Sequence, residues 1–297
     1  YFTDTAYKYR QDLASVTMAM CLAAGNVADP ARFREGPANL ADFFEQIGFK
    51  DFEANPDYTN RPGRNTFGVG IANKQITVGG EKYTVIGIGL RGCGYYAEWA
   101  GDLNVGLNGD HTGFAICRDT ALAFLREYLD AHPEISGKIK IWCTGYSRGA
   151  AGANMLGGKL DDMIMSGERL GKNVTVSVED LYIYTYEAPM GADASNVGGR
   201  VYNNIHNVVN YNDLVVRAAP ACMGFARYGV DHVMPSAKLD DNYESLKADM
   251  LKVFETFENA GEYRIDSFKY VTVTPGATAD KIIRSIKGNV MTQGEYL

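Results

Sequence analysis

The pentapeptide Gly145-Tyr146-Ser147-Arg148-Gly149 constrains this chain more than any other segment. It follows the short apolar run Lys138-Ile139-Lys140-Ile141-Trp142-Cys143 and precedes a small-residue stretch, Ala150 to Leu160, that reads as a helix. A strand, a glycine-flanked serine and a helix in that order demand a sharp turn. The helix can then fold back tightly on the strand only where the flanking residues carry no side chain. A serine so placed projects from the turn, where a base can reach it, and the neighbouring N–H groups face a developing oxyanion. The competing reading is a glycine-rich helix start without chemistry.

The patterning around this turn predicts an α/β arrangement. Asp12 to Ala24 reads as an apolar-faced helix, and Leu40 to Ile47 as a second one capped by Asn39 and ended by Gly48. Pro56 to Asn65 is turn-like. Thr66 to Ala72 and Lys82 to Leu90 read as consecutive strands joined through Gly79-Gly80. A glycine-rich loop, Arg91 to Gly113, leads to an amphipathic helix over Phe114 to Ala131. Ile139 to Cys143, Leu181 to Tyr186 and Ile205 to Asn210 read as further strands, and residues 150 to about 165 as the helix after the serine. A parallel crossover at that helix is expected to be right-handed. Beyond Pro235 the character changes: a charged amphipathic helix over Leu239 to Phe257, a strand over Tyr263 to Val273 and a short helix over Thr278 to Ile286. The expectation is one domain spanning 1–297, with 236–297 as a cap or extension.

Composition narrows the function classes. The 297 residues are 46% apolar, enough for a sizeable core, and the net charge of −7 argues against broad binding to a phosphate backbone. No run approaches the roughly 18 apolar residues of a membrane-spanning helix. The first residue is Tyr1 rather than Met, so the natural N-terminus is expected to be absent, through signal removal or trimming. A secreted or cell-surface location is preferred to a cytoplasmic one. Cys21, Cys93, Cys117, Cys143 and Cys222 match neither a metal site nor a small-domain disulfide scaffold; they read as buried thiols, with one disulfide still open. The four histidines show no metal-ligand spacing, so neither metal nor cofactor is expected. Gly87-x-Gly89 sits within an apolar strand and does not form a dinucleotide-binding loop.

Several ordered segments resemble the class 3 lipases, a branch of the α/β-hydrolase fold. Leu90-Arg91-Gly92-Cys93, with Glu98-Trp99 shortly after, is similar to the family's strand-end loop, and His111-Thr112-Gly113-Phe114 to its H-x-G-F segment. Tyr184-Thr185-Tyr186-Glu187-Ala188-Pro189-Met190-Gly191 resembles the family's Y-x-F-G-x-P-x-x-G, and Asn207 to Val215 the stretch ending in its acidic residue. Together these cover roughly residues 65 to 220. Arg148 after the serine, and Phe225-Ala226-Arg227-Tyr228-Gly229, point towards a bacterial lipase-like subgroup rather than the secreted fungal enzymes.

The resemblance implies a mostly parallel central sheet flanked by helices, and a serine ester hydrolase acting on a lipid or small carboxylic ester through an acyl-enzyme. Transient contact with a lipid surface would follow. Ser147 aligns with the nucleophile and Asp213 with the acid that orients an imidazole. The oxyanion donors would be the backbone N–H groups of Arg148 and Cys93. The Arg148 side chain reads either as a structural ion pair or as an attractor of acidic substrate. The base is the open question. Of His111, His132, His206 and His232, only His232 follows Asp213, as chain order requires. Aligned on the glycine, however, the family's base position holds Arg227, with His232 five residues later. Three readings stand: a loop delivers His232, the base is missing or substituted, or another histidine serves. His111 reads as a loop-holding residue. A catalytically impaired hydrolase fold with a binding role is the alternative function. Cys143, inside an apolar strand, is a weak rival nucleophile.

Overall fold

The computed structural model describes residues 1–25, 34–93, 96–107, 109–211, 213–219 and 221–234, with scattered positions between 241 and 248. Tyr1–Asn26 and Pro30–Met234 make up one compact unit, and Val27–Asp29 with Pro235–Leu297 belong to a second. The elements expected between 239 and 286, and the cap expected at 236–297, lie almost wholly outside the described residues.

The helices are α1 (Gln11–Ala23), α2 (Gly36–Gln46), α3 (Trp99–Asp102), α4 (Thr112–Ala131) and α5 (Arg148–Met165). The strands are β1 (Lys50–Ala54), β2 (Val69–Val78), β3 (Glu81–Leu90), β4 (Gly137–Tyr146), β5 (Val174–Thr175), β6 (Leu181–Tyr186), β7 (Ala192–Asp193), β8 (Ile205–Val209), β9 (Phe225–Ala226) and β10 (Val230–Val233). The main sheet runs β1-β2-β3-β4-β6-β8-β10, with β5 attached to β4. From β3 to β10 every neighbouring pair is parallel, while β1 and β2 are antiparallel additions at one edge. This is the α/β-hydrolase arrangement, a mostly parallel sheet between helices.

Each layer follows from the alternation of side chains along the strands. On one face Ile86, Ile88, Ile141, Cys143 and Ile183 pack with Leu125, Leu156 and Leu160 of α4 and α5. Burying each such aliphatic side chain contributes about 1.5–3 kcal/mol. On the other face Trp142 donates its indole N–H to Thr17 Oγ1 of α1 at 2.8 Å and meets the ring of Phe43 of α2. Gly87 is the strand residue that α2 needs there, because a methyl group would lie 2.5 Å from Phe44 Cε1. A polar knot ties β8 and the segment leading into β10 to α5: Asn154 Nδ2 donates to Asn207 Oδ1 and to the Tyr228 carbonyl, both at 2.9 Å, and Asn154 Oδ1 accepts the Tyr228 N–H at 3.0 Å.

Several elements differ from their sequence expectation. Strand β2 extends through the polar residues to Val78, because it pairs with β3 in full register from Val69↔Leu90 to Val78↔Glu81. Gly79 and Gly80, at φ 59° and 84°, close that hairpin. Helix α2 starts at Gly36 instead of Leu40, with Pro37 in its first turn, so Asn39 lies inside the helix and does not cap it. Strands β1 and β10 are too short for their alternation to stand out, and pairing with a neighbour defines them. Among the described residues no helix is long and apolar enough to cross a membrane.

The contact between β3, β4 and α5 is tight enough to be tested directly. A methyl group on Gly149 would lie 2.5 Å from the Leu90 carbonyl oxygen and 3.0 Å from the Arg91 carbonyl carbon. Both obstacles are backbone, so Gly149→Ala is expected to destabilise the protein by about 1–3 kcal/mol. Urea denaturation measures this, and a wild-type midpoint would refute the tight-approach account.

Candidate active site

Ser147 is the hinge between β4 and α5. Its backbone sits at φ 53°, ψ −119°, a conformation that costs a non-glycine residue roughly 1–3 kcal/mol. The surrounding geometry enforces it. A methyl on Gly145 would come within 2.2 Å of the Gly149 carbonyl carbon, so strand end and helix start leave no room for a wider turn. Ser147 N–H donates to the Tyr186 carbonyl at 3.0 Å, and the Ser147 carbonyl accepts the Ala151 N–H at 3.0 Å. The N–H groups of Arg148, Gly149 and Ala150 are in the first turn of α5, where no intrahelical acceptor reaches them, and they form the positive end of the helix dipole. Ser147 itself is half-buried.

The Arg148 side chain points inward. It is 2% exposed and Nη1 donates to the Thr66 carbonyl at 2.9 Å. Nη2 donates to the Arg64 carbonyl at 3.3 Å. Glu98 Oε1 lies 3.6 Å from Arg148 Nη1 and also accepts from Arg91 Nη2, with all three side chains buried. Arg148 Nε and Asp102 Oδ1 lie 3.0 Å apart, in ion-pair contact but without hydrogen-bond alignment. Of the two readings of Arg148, the structural ion pair is the one realised. Burial drives the Asp102 pKa up to about 6 even though the Arg148 charge pulls the other way. Cys93 is half-buried, its thiol pKa strongly raised by burial and by the charge of Asp102, to which it is hydrogen-bonded. The cluster thus holds the 91–102 loop against the first residue of α5. Gly92 passes the Tyr146 carbonyl so closely that a methyl there would lie 2.8 Å from its oxygen.

Asp213 lies in the loop after β8. Its Oδ1 accepts the Val215 N–H at 2.8 Å, and its own N–H donates to the Asn210 carbonyl at 2.9 Å. Beside it is a residue that sequence reading passed over. Glu187 directly follows β6 at φ 52°, in the position written G in the Y-x-F-G-x-P pattern. Its Oε2 accepts the Asn210 N–H at 3.0 Å. Burial raises its pKa to about 7, and the Asp213 charge adds to the effect against the Asn210 bond. An acid at a glycine position was the available signal. Tyr146, next to Ser147, feels both carboxylates, which add to a rise that burial dominates.

The histidines lie elsewhere. His232 is within strand β10, not in a loop, opposite Val208 in the register. Since Tyr146 pairs with Tyr186 and Tyr186 with Val208, three strand spacings separate it from β4, the strand that leads into Ser147, roughly 14 Å of backbone. Its Nε2 lies 3.1 Å from His206 Nδ1, and its ring stacks on Tyr9 at 4.0 Å. His206 Nε2–H donates to the Ala6 carbonyl at 2.9 Å, which leaves Nδ1 as an acceptor for His232 Nε2–H. Burial lowers both pKa values, that of His206 to about 4. His111 caps α4, with Nδ1 accepting the Phe114 N–H at 3.4 Å. The position aligned with the family's base is occupied by Arg227, whose Nη1 donates to the Ala188 and Val216 carbonyls at 3.0 and 2.7 Å and whose Nη2 pairs with Asp231. Among the described residues no imidazole is hydrogen-bonded to Ser147 or Asp213.

Among the described residues one group could hold a cation: Asp51, His132 and Glu134. Protein charges already account for it, because His132 bonds Glu53 and Glu134 at 2.9 Å each and Lys50 Nζ lies 3.1 Å from Asp51. A cleft of about 320 Å³ adjoins the 211–221 loop, lined by Met190, Tyr211, Val216, Arg217, Ala221 and Arg227.

No protein-family model and no curated protein matches this chain. By fold it is similar to solved fungal lipases. The native propeptide complex of Rhizomucor miehei lipase aligns over 78% of this chain and 71% of its own, at 18% identity and a TM-score of 0.50. Lipase II from Rhizopus niveus aligns over 77% and 83%, at 16% identity and a TM-score of 0.49. A lipase from Rhizopus microsporus var. chinensis aligns over 76% of each chain, at 16% identity and 0.47. At this identity the likeness is one of fold. The expected likeness to a bacterial lipase-like subgroup is overturned, since the fold matches a fungal lipase. The two features behind that expectation serve the fold: Arg148 is sealed in an ion-pair cluster, and the Phe225–Gly229 segment carries β9 and the Tyr228 bonds to Asn154.

Removing one partner from a buried charge cluster strands the others, so Arg148→Ala is expected to lower stability by about 3–5 kcal/mol. Chemical denaturation reads this out, and a loss under about 1 kcal/mol would show that the guanidinium is dispensable. Asp102 adds a pH signature. Its folded pKa of about 6 lies above the ordinary 3.8, so its contribution to stability is complete below about 4 and is lost as pH rises through 6. Asp102→Asn should flatten that part of the stability–pH curve.

Proposed function

We propose that this chain is a serine hydrolase that cleaves carboxylic esters, with Ser147 as nucleophile. The observation that carries the reading is the Ser147 backbone at φ 53° between a parallel strand and a helix. Packing imposes that turn but does not call for a serine in it, because a glycine would adopt the same φ without strain. A strained conformation retained at the C-terminal edge of a parallel sheet is where a reacting side chain is expected.

In this reading Ser147 Oγ attacks the ester carbonyl and the alcohol leaves. Water then releases the acid from the acyl-enzyme. The N–H of Arg148, first in α5, and the N–H of Cys93, on the loop that crosses Tyr146, receive the negative oxygen. The buried Arg148–Glu98–Asp102 cluster supports this assignment by fixing that loop relative to the helix. Asp213 takes the acidic position. The substrate class is a lipid or small carboxylic ester, for which exposed Leu103, Leu107 and Leu214 on loops leaving β3 and β8 offer apolar contacts.

One observation favours a second reading, a hydrolase fold used for binding: His232 is bonded to His206 and remote from the serine. An organophosphonate probe separates the two. Covalent labelling of the wild type that disappears in Ser147→Ala, together with ester turnover, is the expected result. A folded wild type that takes up no label would favour binding over hydrolysis.

A further inference from the structure

All four histidines have defined places, and none is hydrogen-bonded to Ser147. A serine hydroxyl still needs a proton acceptor to attack an ester. The neighbouring strand end carries a carboxylate. Ser147 N–H donates to the carbonyl of Tyr186, and Glu187 is the next residue along. Because Tyr146 and Tyr186 are register partners, Ser147 and Glu187 leave adjacent parallel strands side by side. Both leave through the left-handed region, at φ 53° and 52°.

We propose that Glu187 is the proton acceptor for Ser147, with Asp213 as its companion carboxyl, so that two carboxylates take the place of an imidazole and one carboxylate. This rests on the reading of Ser147 as nucleophile.

Three features beyond adjacency point the same way. First, glutamate at φ 52° is disfavoured where glycine is free of strain, so the backbone alone does not call for this side chain. Second, the carboxylate is held in place. Glu187 N–H donates to the Val208 carbonyl at 3.0 Å, and Oε2 accepts the Asn210 N–H, also at 3.0 Å. Oε1 has no hydrogen bond among the described residues, which leaves it for a proton. Third, the neighbouring charges suit a base that works near neutrality. Burial and Asp213 raise the affinity for a proton to a pKa of about 7, against Arg227 and the Asn210 amide, and a base is most effective when its pKa is close to the working pH.

The chemistry balances. As Ser147 Oγ bonds to the ester carbonyl carbon, its proton passes to the Glu187 carboxylate. The protonated Glu187 gives that proton to the departing alkoxide, which leaves as alcohol. Water then attacks the acyl-enzyme, losing one proton to Glu187. That proton returns to Ser147 Oγ as the carboxylic acid is released.

The test follows hydrolysis of a p-nitrophenyl ester and organophosphonate labelling against pH, using the whole chain. Wild-type labelling should rise as pH increases through about 7, the direction for a base that must be deprotonated. Glu187→Gln should lower kcat by about 100-fold or more, with little change in KM, and lose that titration. Glu187→Gly guards against misfolding: it suits the φ of 52°, so it should melt at or above the wild-type temperature while being equally inactive. His232→Ala should label at the wild-type rate. Ser147-dependent labelling that persists in both Glu187 variants, at wild-type rate and pH profile, would overturn the role of Glu187 and leave the nucleophile standing. Loss of labelling in His232→Ala alone would overturn it in favour of the imidazole. A wild type that is never labelled would remove the serine-nucleophile reading and this one with it.

Discussion

The organising constraint of this molecule is the close approach of α5 to the ends of β3 and β4. Gly145 and Gly149 permit it, since any side chain at either position would strike backbone. Once helix and strands are that close, the single residue between them must turn through φ 53°. The strain at Ser147 is therefore imposed by packing on both sides. The buried sheet–helix core stabilises the fold enough to hold one residue in an unfavourable conformation.

That approach also decides what happens to charge. Arg148 begins α5, and with the helix pressed against the sheet its side chain can only run inward. There it meets the Thr66 and Arg64 carbonyls, Glu98 and Asp102. Two guanidinium groups and two carboxylates gather away from water, each costly alone and tolerable together. The loop after β3 is anchored by the same pairs. On the other side of the serine, Glu187 follows β6 and Asp213 lies in the loop after β8; burial, with the Asp213 charge adding to it, raises the affinity of Glu187 for a proton. One edge of the sheet thus carries a sealed charge cluster on one side of the hinge and the Glu187 and Asp213 carboxyls on the other.

Much of this was legible in the chain because it is local. The glycine hairpin at 79–80, the long amphipathic α4 and the strand–serine–helix turn are written in residues that touch their own sequence neighbours. His111 as a holding residue was legible for the same reason, since it caps the helix it precedes. The capping of α2 was misread because Pro37 and Asn39 are both plausible start signals, and the proline governs the first turn. Strand β10 was missed because four residues carry too little alternation; it is a strand through its parallel pairing with β8.

The sequence by itself determined where the chain must turn sharply, which residue stands at that turn, and that the surrounding elements alternate between strand and helix. These follow from backbone sterics and from the spacing of apolar residues, both short-range properties. Only the tertiary structure decided which charged side chains share an environment. Sheet register places His232 beside His206 and Glu187 beside Ser147, and burial turns Arg148 from a surface attractor into an internal tie. Those outcomes depend on strand order and on exclusion of water, which arise from contacts between residues far apart in the chain.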